Sequence, residues 1–238
     1  MNNWSTHVKS FGLGNYLGYD LPEGDKGLIP DGEYYNSMYK HRWNASTNIS
    51  NAIGQGEVLT TPIQLANVTA AIANRGFFYT PHVVKKINNQ AIIDPSYTTP
   101  KHTTIDKKHF EPIIEGMHEV FKTGTASWVN IEGIDIVGKT GTSENFMRVG
   151  RKKIKLLDHS ILVAFAPKNN PKIAVAVFIE NGGFGSTVAA PITSLMIEKH
   201  LTGMVNRKWI EERMLKTDLS PIYERQTIAI KQIETGTK

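Results

Sequence analysis

The sequence predicts an α+β fold, an antiparallel sheet flanked by helices. Three observations carry this. Two apolar runs, residues 160–167 and 172–180, are separated by the turn signal Asn169-Asn170-Pro171, which reads as a pair of adjacent strands. A third run, residues 131–137, is rich in β-branched residues and delivers the tetrad Lys139-Thr140-Gly141-Thr142, so it reads as their neighbour. Helical spacing flanks these strands, at Leu65, Val68, Ala71 and Ile72 and again at Phe110, Ile113, Ile114, Met117, Val120 and Phe121.

In chain order, residues 4–11 read as a short helix. An irregular segment follows to residue 44, dense in turn signals at Gly12, Gly14, Gly18, Pro22-Glu23-Gly24-Asp25, Gly27 and Pro30-Asp31-Gly32. A free-standing fold usually opens with an element that builds core, so this is a poor start for an independent domain. Thr61-Pro62-Ile63-Gln64 is a helix start: Thr61 caps, Pro62 takes the first helical position, and Gln64 can close a capping box. Gly76 ends that helix. Residues 77–104 read as a short hairpin and a loop, with pieces at 77–79, 83–87 and 91–93, a turn at Asn88-Asn89 and a close at Asp94-Pro95. Residues 106–121 form an amphipathic helix with Pro112 in its first turns. After the sheet, Gly182-Gly183-Phe184-Gly185 leads to Ala189-Ala190-Pro191 and a helix over 192–201. The tail from Trp209 onward is polar and reads as peripheral.

Composition bounds the function classes. The 238 residues are 40% hydrophobic and 21% charged, ordinary for a globular chain. The absence of cysteine excludes a disulfide framework and a thiolate metal site, and it decides nothing about compartment. Net charge is +5, with a basic cluster at Arg148, Arg151, Lys152, Lys153 and Lys155. That cluster reads first as a solvated hairpin tip and second as a contact for an anionic polymer; no nucleic-acid partner is expected. No apolar stretch approaches the length of a membrane span, and Met1-Asn2-Asn3-Trp4 does not begin a signal peptide. An export signal, if the protein acts outside the cytoplasm, is expected outside these residues.

The tetrad carries the chemistry. On a strand, Lys139 and Gly141 face one way and Thr140 and Thr142 the other. The ammonium supplies charge, the hydroxyls supply donors, and glycine lets a substrate backbone lie close, which together suit a grip on a carboxylate. A second copy, Lys122-Thr123-Gly124-Thr125, follows helical spacing, so its Gly124 reads as a helix C-terminal cap. Gly133 to Thr140 also fits the phosphate-loop pattern letter by letter, but that loop needs a nest of backbone N–H groups and a helix directly after it. Residues 134–137 favour extension. Gly54-Gln55-Gly56-Glu57 reads equally as a tight turn or as backbone folded beside a site.

These motifs combine in a recognisable order. Gly12-Leu13-Gly14, Asp20-Leu21-Pro22, Ile53-Gly54-Gln55-Gly56-Glu57, Thr61-Pro62, Ala73-Asn74-Arg75-Gly76, Gly124-Thr125-Ala126, Gly138-Lys139-Thr140-Gly141-Thr142, Phe165-Ala166-Pro167 and Ala189-Ala190-Pro191 follow one another at characteristic spacing. Jointly they resemble the C-terminal part of the transpeptidase domain of class B penicillin-binding proteins, most closely those of the elongation machinery, across about residues 4–201. Lys-Thr-Gly is one of three short motifs that recur in penicillin-binding proteins and class A β-lactamases. The resemblance implies a serine β-lactamase/transpeptidase-like five-stranded antiparallel sheet flanked by helices. It is expected here as an incomplete C-terminal portion over residues 1–203, with a polar extension over 204–238.

The resemblance also implies an activity: peptidoglycan D,D-transpeptidation during elongation, with a serine acyl-enzyme. Lys139 is then catalytic, Thr140, Gly141 and Thr142 bind substrate, and the Thr142 N–H supplies half of an oxyanion hole. No metal or cofactor is implied. The implied partners are peptidoglycan stem peptides, β-lactam antibiotics for the intact protein, and membrane proteins of the elongation machinery, at the periplasmic face of the inner membrane. The family's nucleophile sits in a Ser-x-x-Lys motif, with a Ser-x-Asn or Ser-x-Asp after it, both upstream of Gly-Leu-Gly. Here Ser37-Met38-Tyr39-Lys40 and Ser46-Thr47-Asn48 fit those patterns but follow Gly-Leu-Gly and lie too close together, and Ser143-Glu144-Asn145 trails the tetrad. The nucleophilic serine is therefore expected upstream of these residues, and the chain alone is expected to be inactive. The rival readings are a non-catalytic cell-wall peptide-binding module, a nucleotide hydrolase using Gly133 to Thr140, and a complete enzyme built on Ser37.

Overall fold

The computed structural model describes residues 1–22, 24–40, 42–91 and 94–234. Glu23 of the expected turn, Ile92 and Ile93 of the expected strand, and residues 235–238 of the expected extension lie outside the described residues. The chain divides into two compact units, Met1–Ile114 and Glu115–Lys238.

The first unit opens with α1 (Asn2–Lys9), two residues ahead of the expected helix. The segment read as irregular to residue 44 contains a helix, α2 (Gly32–Tyr39), and a further helix, α3 (Ala45–Ala52), follows it. Caps start both. The Asp31 carboxylate accepts the Tyr34 N–H at 3.0 Å, and the Asn44 side chain accepts the Ser46 N–H at 2.9 Å. Tyr35 holds α2 down: its ring is buried, and its hydroxyl lies 3.0 Å from the amide nitrogen of buried Asn51 on α3.

Helix α4 (Pro62–Ala73) has the full capping box the sequence announces, with Gln64 N–H on Thr61 Oγ1 at 3.3 Å and Thr61 N–H on Gln64 Oε1 at 3.0 Å. Gln64 is buried, and its amide also donates to the carbonyls of Asn15 and Lys26, each at 2.9 Å. Asn67 donates to the Phe11 carbonyl at 2.9 Å. Two buried amides thus fasten the turn-rich segment to α4, which explains how a stretch without its own apolar period stays folded. Leu17, Ala71 and Phe78 form the small core beneath.

The expected hairpin forms at β2 (Lys86–Ile87) and β3 (Gln90–Ala91), where Asn88 and Asn89 both take positive φ, the type I′ geometry. The preceding strand, β1 (Phe77–Phe78), pairs instead with β4 (Lys101–His102), beyond the short helix α5 (Pro95–Thr98). A 3₁₀ turn at Lys107–His109 leads into α6 (Phe110–Lys122), within which the unit boundary falls. Pro112 occupies its first turn, where no intrahelical N–H is needed.

In the second unit, the Thr123 and Gly124 N–H groups close α6 on the Glu119 carbonyl at 3.0 and 2.9 Å. Gly124 is therefore the terminator expected, though not by a left-handed backbone. A Cβ there would sit 2.7 Å from Val120 Cα, so close approach requires the glycine. The sheet is antiparallel, in the order β5 (Val137–Ser143), β8 (His159–Ala166), β9 (Ile173–Ile179). Three strands stand here among the described residues where the resemblance implied five. Between β5 and β8 a separate hairpin forms from β6 (Phe146–Val149) and β7 (Lys152–Lys155).

Helix α7 (Ala189–Thr202) packs on β8 and β9, with Leu162, Ala164, Val175, Val177 and Ile197 in one core. The tail expected to be peripheral from Trp209 joins that core. Helix α8 (Lys208–Leu215) buries Ile210 completely and packs Met214 beside it. Its apolar residues come in two adjacent pairs, Trp209-Ile210 and Met214-Leu215, of which Trp209 and Leu215 stay exposed, so the pattern does not announce from sequence which face is buried. Helix α9 (Ser220–Glu234) is tied by the Tyr223 hydroxyl to the Glu180 carbonyl at 2.7 Å. Among the described residues no helix is long and apolar enough to cross a membrane.

Candidate functional site

The tetrad strand begins later than expected. Ile134 N–H returns to the Ile131 carbonyl at 3.1 Å, and Gly133 takes φ +77°, so residues 131–134 form a turn and not a strand. From Val137 onward the backbone is straight. Every residue from Val137, opposite Phe165, to Ser143, opposite His159, is in register with β8. An extended, paired Gly138-Lys139-Thr140 cannot curl into a phosphate nest, and a hairpin strand follows in place of a helix. This overturns the phosphate-loop reading of Gly133 to Thr140.

Register fixes the two faces. Thr140 stands opposite Leu162 and Thr142 opposite Ser160, on the face that carries the core residues Ala164, Val175 and Val177 further along. Lys139 stands opposite Val163 and Gly141 opposite Ile161, on the other face. Lys139 is exposed, and its ammonium donates to the Thr140 carbonyl at 2.7 Å. The Thr140 hydroxyl lies 3.0 Å from that of Thr125, in the helix-end copy of the tetrad. β5 has one strand partner, β8, among the described residues. Its other side is therefore a strand edge.

A glycine-dense loop that the sequence reading left without a role closes on this strand. Ser160 Oγ donates to the Phe184 carbonyl at 3.0 Å and accepts the Ala189 N–H at 3.2 Å. Trp128 Nε1 donates to the Ser186 carbonyl at 3.2 Å. These bonds seat Gly185 so close that a Cβ there would lie 2.4 Å from the Ile161 carbonyl oxygen and 2.6 Å from that of Gly141. Phe184, 71% exposed, stands next to that contact. The signal was present in Gly182-Gly183-Phe184-Gly185, but glycine density alone does not say which strand is approached.

The basic connection after the tetrad has two sides. Cross-strand register puts Phe146, Arg148, Lys153 and Lys155 on one face and Met147, Val149 and Ile154 on the other. Strand β6 contacts α9. Lys153 Nζ lies 3.7 Å from the Phe146 ring centroid, and Lys155 faces Glu144 and Asp158 at 3.9 and 3.8 Å. Arg148, Arg151 and Lys152 are exposed, as a solvated hairpin requires.

The other serine patterns serve structure. Ser37 lies on α2, not in a loop as the sequence suggested, but it is exposed near the helix end. Lys40 has already left the helix in a left-handed conformation, φ 48°, so the i,i+3 alignment of a helical Ser-x-x-Lys is broken. Ser46 donates to its own cap residue Asn44 at 2.6 Å. Asn145 bonds Asn181 at 2.6 Å and anchors the hairpin base. Gly54 and Gly56, both at positive φ, make the tight turn that delivers Glu57 to the hydroxyls of Tyr35 and Tyr39. Among the described residues no cluster of three or more His, Cys, Asp or Glu side chains is arranged to hold a metal ion.

β5 thus presents an exposed ammonium on one face, two hydroxyls on alternate residues of the other, and an edge with no further strand among the described residues. Residues 1–198 match the penicillin binding protein transpeptidase domain. The chain is 32% identical over 220 residues to the peptidoglycan D,D-transpeptidase MrdA of Haemophilus influenzae, covering 84% of this chain and 32% of that protein. It superposes on Pseudomonas aeruginosa PBP2, solved in complex with WCK 5153, with a TM-score of 0.72 and 33% identity, covering 87% of this chain and 46% of that one. Against Helicobacter pylori PBP2, solved in complex with MreC, the TM-score is 0.68 at 28% identity, covering 85% and 36%. The chain spans about a third of the length of the curated relatives it matches.

Proposed function

The chain belongs to the penicillin binding protein transpeptidase domain family, and from that premise we propose that it is the C-terminal portion of a peptidoglycan D,D-transpeptidase for cell-wall elongation. The observation that carries the reading is β5 itself: Lys139, Thr140 and Thr142 on an open-edged strand, with Thr125 at 3.0 Å from Thr140.

In this reading a serine hydroxyl attacks the carbonyl carbon between two D-alanines of a stem peptide. The C–N bond breaks, and the terminal D-alanine leaves with the serine's proton on its amine. An amine of a neighbouring stem then attacks the ester, the C–O bond breaks, and the serine regains a proton. β-Lactams acylate the same oxygen. The Thr140 and Thr142 hydroxyls bind the terminal carboxylate, Lys139 supplies positive charge in the cleft, and Gly141 leaves room for the substrate backbone. The Thr142 N–H is one donor to the developing oxyanion, a contribution of about 3 kcal/mol.

The serine is supplied by sequence outside these 238 residues. Ser37 is exposed at the end of α2, and Lys40 has already left the helix in a left-handed backbone conformation. The isolated chain has substrate grip without a nucleophile and is inactive. In this reading the intact protein works at the periplasmic face of the inner membrane, beside membrane proteins of the elongation machinery; its Helicobacter pylori relative is solved in complex with MreC.

The test uses the protein expressed with its upstream coding sequence and a fluorescent penicillin. Lys139→Ala and Thr142→Val are each expected to slow labelling by about 10²-fold or more, with an unchanged melting temperature because both side chains are exposed. Labelling of either variant at the wild-type rate overturns the assignment.

A further inference from the structure

The first unit contains a cavity that the acyl-transfer reading does not use. It measures about 270 Å³ and is lined by Tyr35, Tyr39, Arg42, Trp43, Ser50 and Glu57 among others. Aromatic rings back one side: exposed Tyr39 stacks on buried Tyr35 at 5.7 Å between centroids, and Trp43 lies 5.5 Å from Tyr35. Their polar ends are committed. Trp43 Nε1 donates to Asn36 at 2.8 Å, and both tyrosine hydroxyls donate to Glu57. The aromatic surfaces are thereby fixed while the ring edges are satisfied.

The opposite charges of the lining decide what fits. Glu57 opposes an anion and Arg42 opposes a cation. A ligand with many hydroxyls and no net charge finds an acceptor in the carboxylate, donors in the guanidinium, and both in Ser50. An aromatic wall facing such groups matches a sugar ring, whose C–H face is apolar and whose rim is polar. The volume is below the roughly 300–1,000 Å³ of pockets for drug-sized ligands, which suits one ring and not an extended peptide. The turn Gly54-Gln55-Gly56-Glu57, left open between two readings by sequence, acquires a purpose here. Gly56, where a Cβ would meet Asn51 Oδ1 at 2.9 Å, lets the backbone pass close enough to place Glu57 in the wall.

We propose that this cavity binds a single neutral pyranose unit of a saccharide. The site lies wholly within the first unit and includes none of the β5 residues, so its failure and the failure of the transpeptidase reading are separate results. The experiment titrates the 238-residue chain with N-acetylglucosamine and follows the Trp43 indole N–H by ¹H–¹⁵N NMR, assigned by its loss in Trp43→Phe. A saturable shift is expected, with a Kd of order 1–10 mM. Tyr39→Ala and Ser50→Ala, each checked for folding by its thermal melt, are expected to raise that Kd at least about fivefold. Either folded variant suffices. Tetramethylammonium and acetate, at matched concentrations, are expected to leave the resonance in place. The proposal is overturned by no shift with the sugar, by wild-type affinity in a folded variant, or by a saturable shift with either ion.

Discussion

The hydroxyls of Thr125 and Thr140 lie 3.0 Å apart, so the two Lys-Thr-Gly-Thr copies of the sequence meet in space. One copy ends a helix and the other forms a strand, and their hydroxyls share one hydrogen bond at the mouth of the candidate site. A double-mutant cycle with Thr125→Val and Thr140→Val is expected to show a coupling of about 0.5 kcal/mol in urea denaturation, the size of a part-exposed neutral bond. Additive single effects contradict the contact.

Gly185 and Gly116 give opposite expectations for the same substitution. An added methyl at Gly185 meets two backbone carbonyls within 2.6 Å, whereas at Gly116, inside α6, it meets nothing within 4 Å. Gly185→Ala is expected to destabilise the chain by about 1–3 kcal/mol. Gly116→Ala is expected to stabilise it by about 0.4–1 kcal/mol, since the unfolded chain loses freedom. Thermal melts of the two variants check both signs.

Arg207 joins α7 to the segment before α8. It bonds Glu198, which is almost fully buried, at 3.2 Å, the Val129 carbonyl at 2.7 Å and Ser194 Oγ at 2.7 Å. Arg207→Met leaves a buried carboxylate without its cation and is expected to cost about 3–5 kcal/mol. The double variant Arg207→Met/Glu198→Leu is expected to recover much of that loss. Urea denaturation of the pair of variants distinguishes this from a simple packing defect, which the second substitution would not repair.

Tyr35 predicts an alkaline loss of stability. Burial, and then the Glu57 carboxylate beside it, push its phenol up to about 12. An unfolded tyrosine ionises near about 10. The folded state thus holds its proton where the unfolded state has lost it. The resulting stability is complete below about pH 10 and disappears as pH rises through about 12. The melting temperature is expected to fall across that window, and to fall less steeply in Tyr35→Phe. Parallel slopes in the two proteins contradict the assignment.

Much of the fold was legible in the sequence where it obeys local rules. The β8–β9 pair, α7 and the tetrad strand declare themselves by apolar runs and turn residues, and α4 by its capping box. What was missed depends on distant partners. Helices α2 and α3 carry glycine, asparagine and serine where good helix formers would stand; the burial of Tyr35 against Asn51 overrides that composition. Ile210 and Met214 reach the core from a helix whose Trp209 and Leu215 stay exposed, so the apolar residues alone do not tell which face is buried. At the site, the four tetrad residues were readable as chemistry, but Thr125 looked like the leftover of a helix cap. Gly185 looked like any loop glycine. Only the register of β5 with β8 brings them together.

The most direct measurement is intact-mass spectrometry of the 238-residue chain after prolonged incubation with benzylpenicillin. If β5 is a carboxylate grip whose serine comes from elsewhere in the protein, the mass is expected to remain unchanged. The version extended with its upstream coding sequence is expected to gain one penicilloyl group outside residues 1–238. A stoichiometric adduct on the shorter chain, mapped to Ser37 or any other serine within it, contradicts that division of labour.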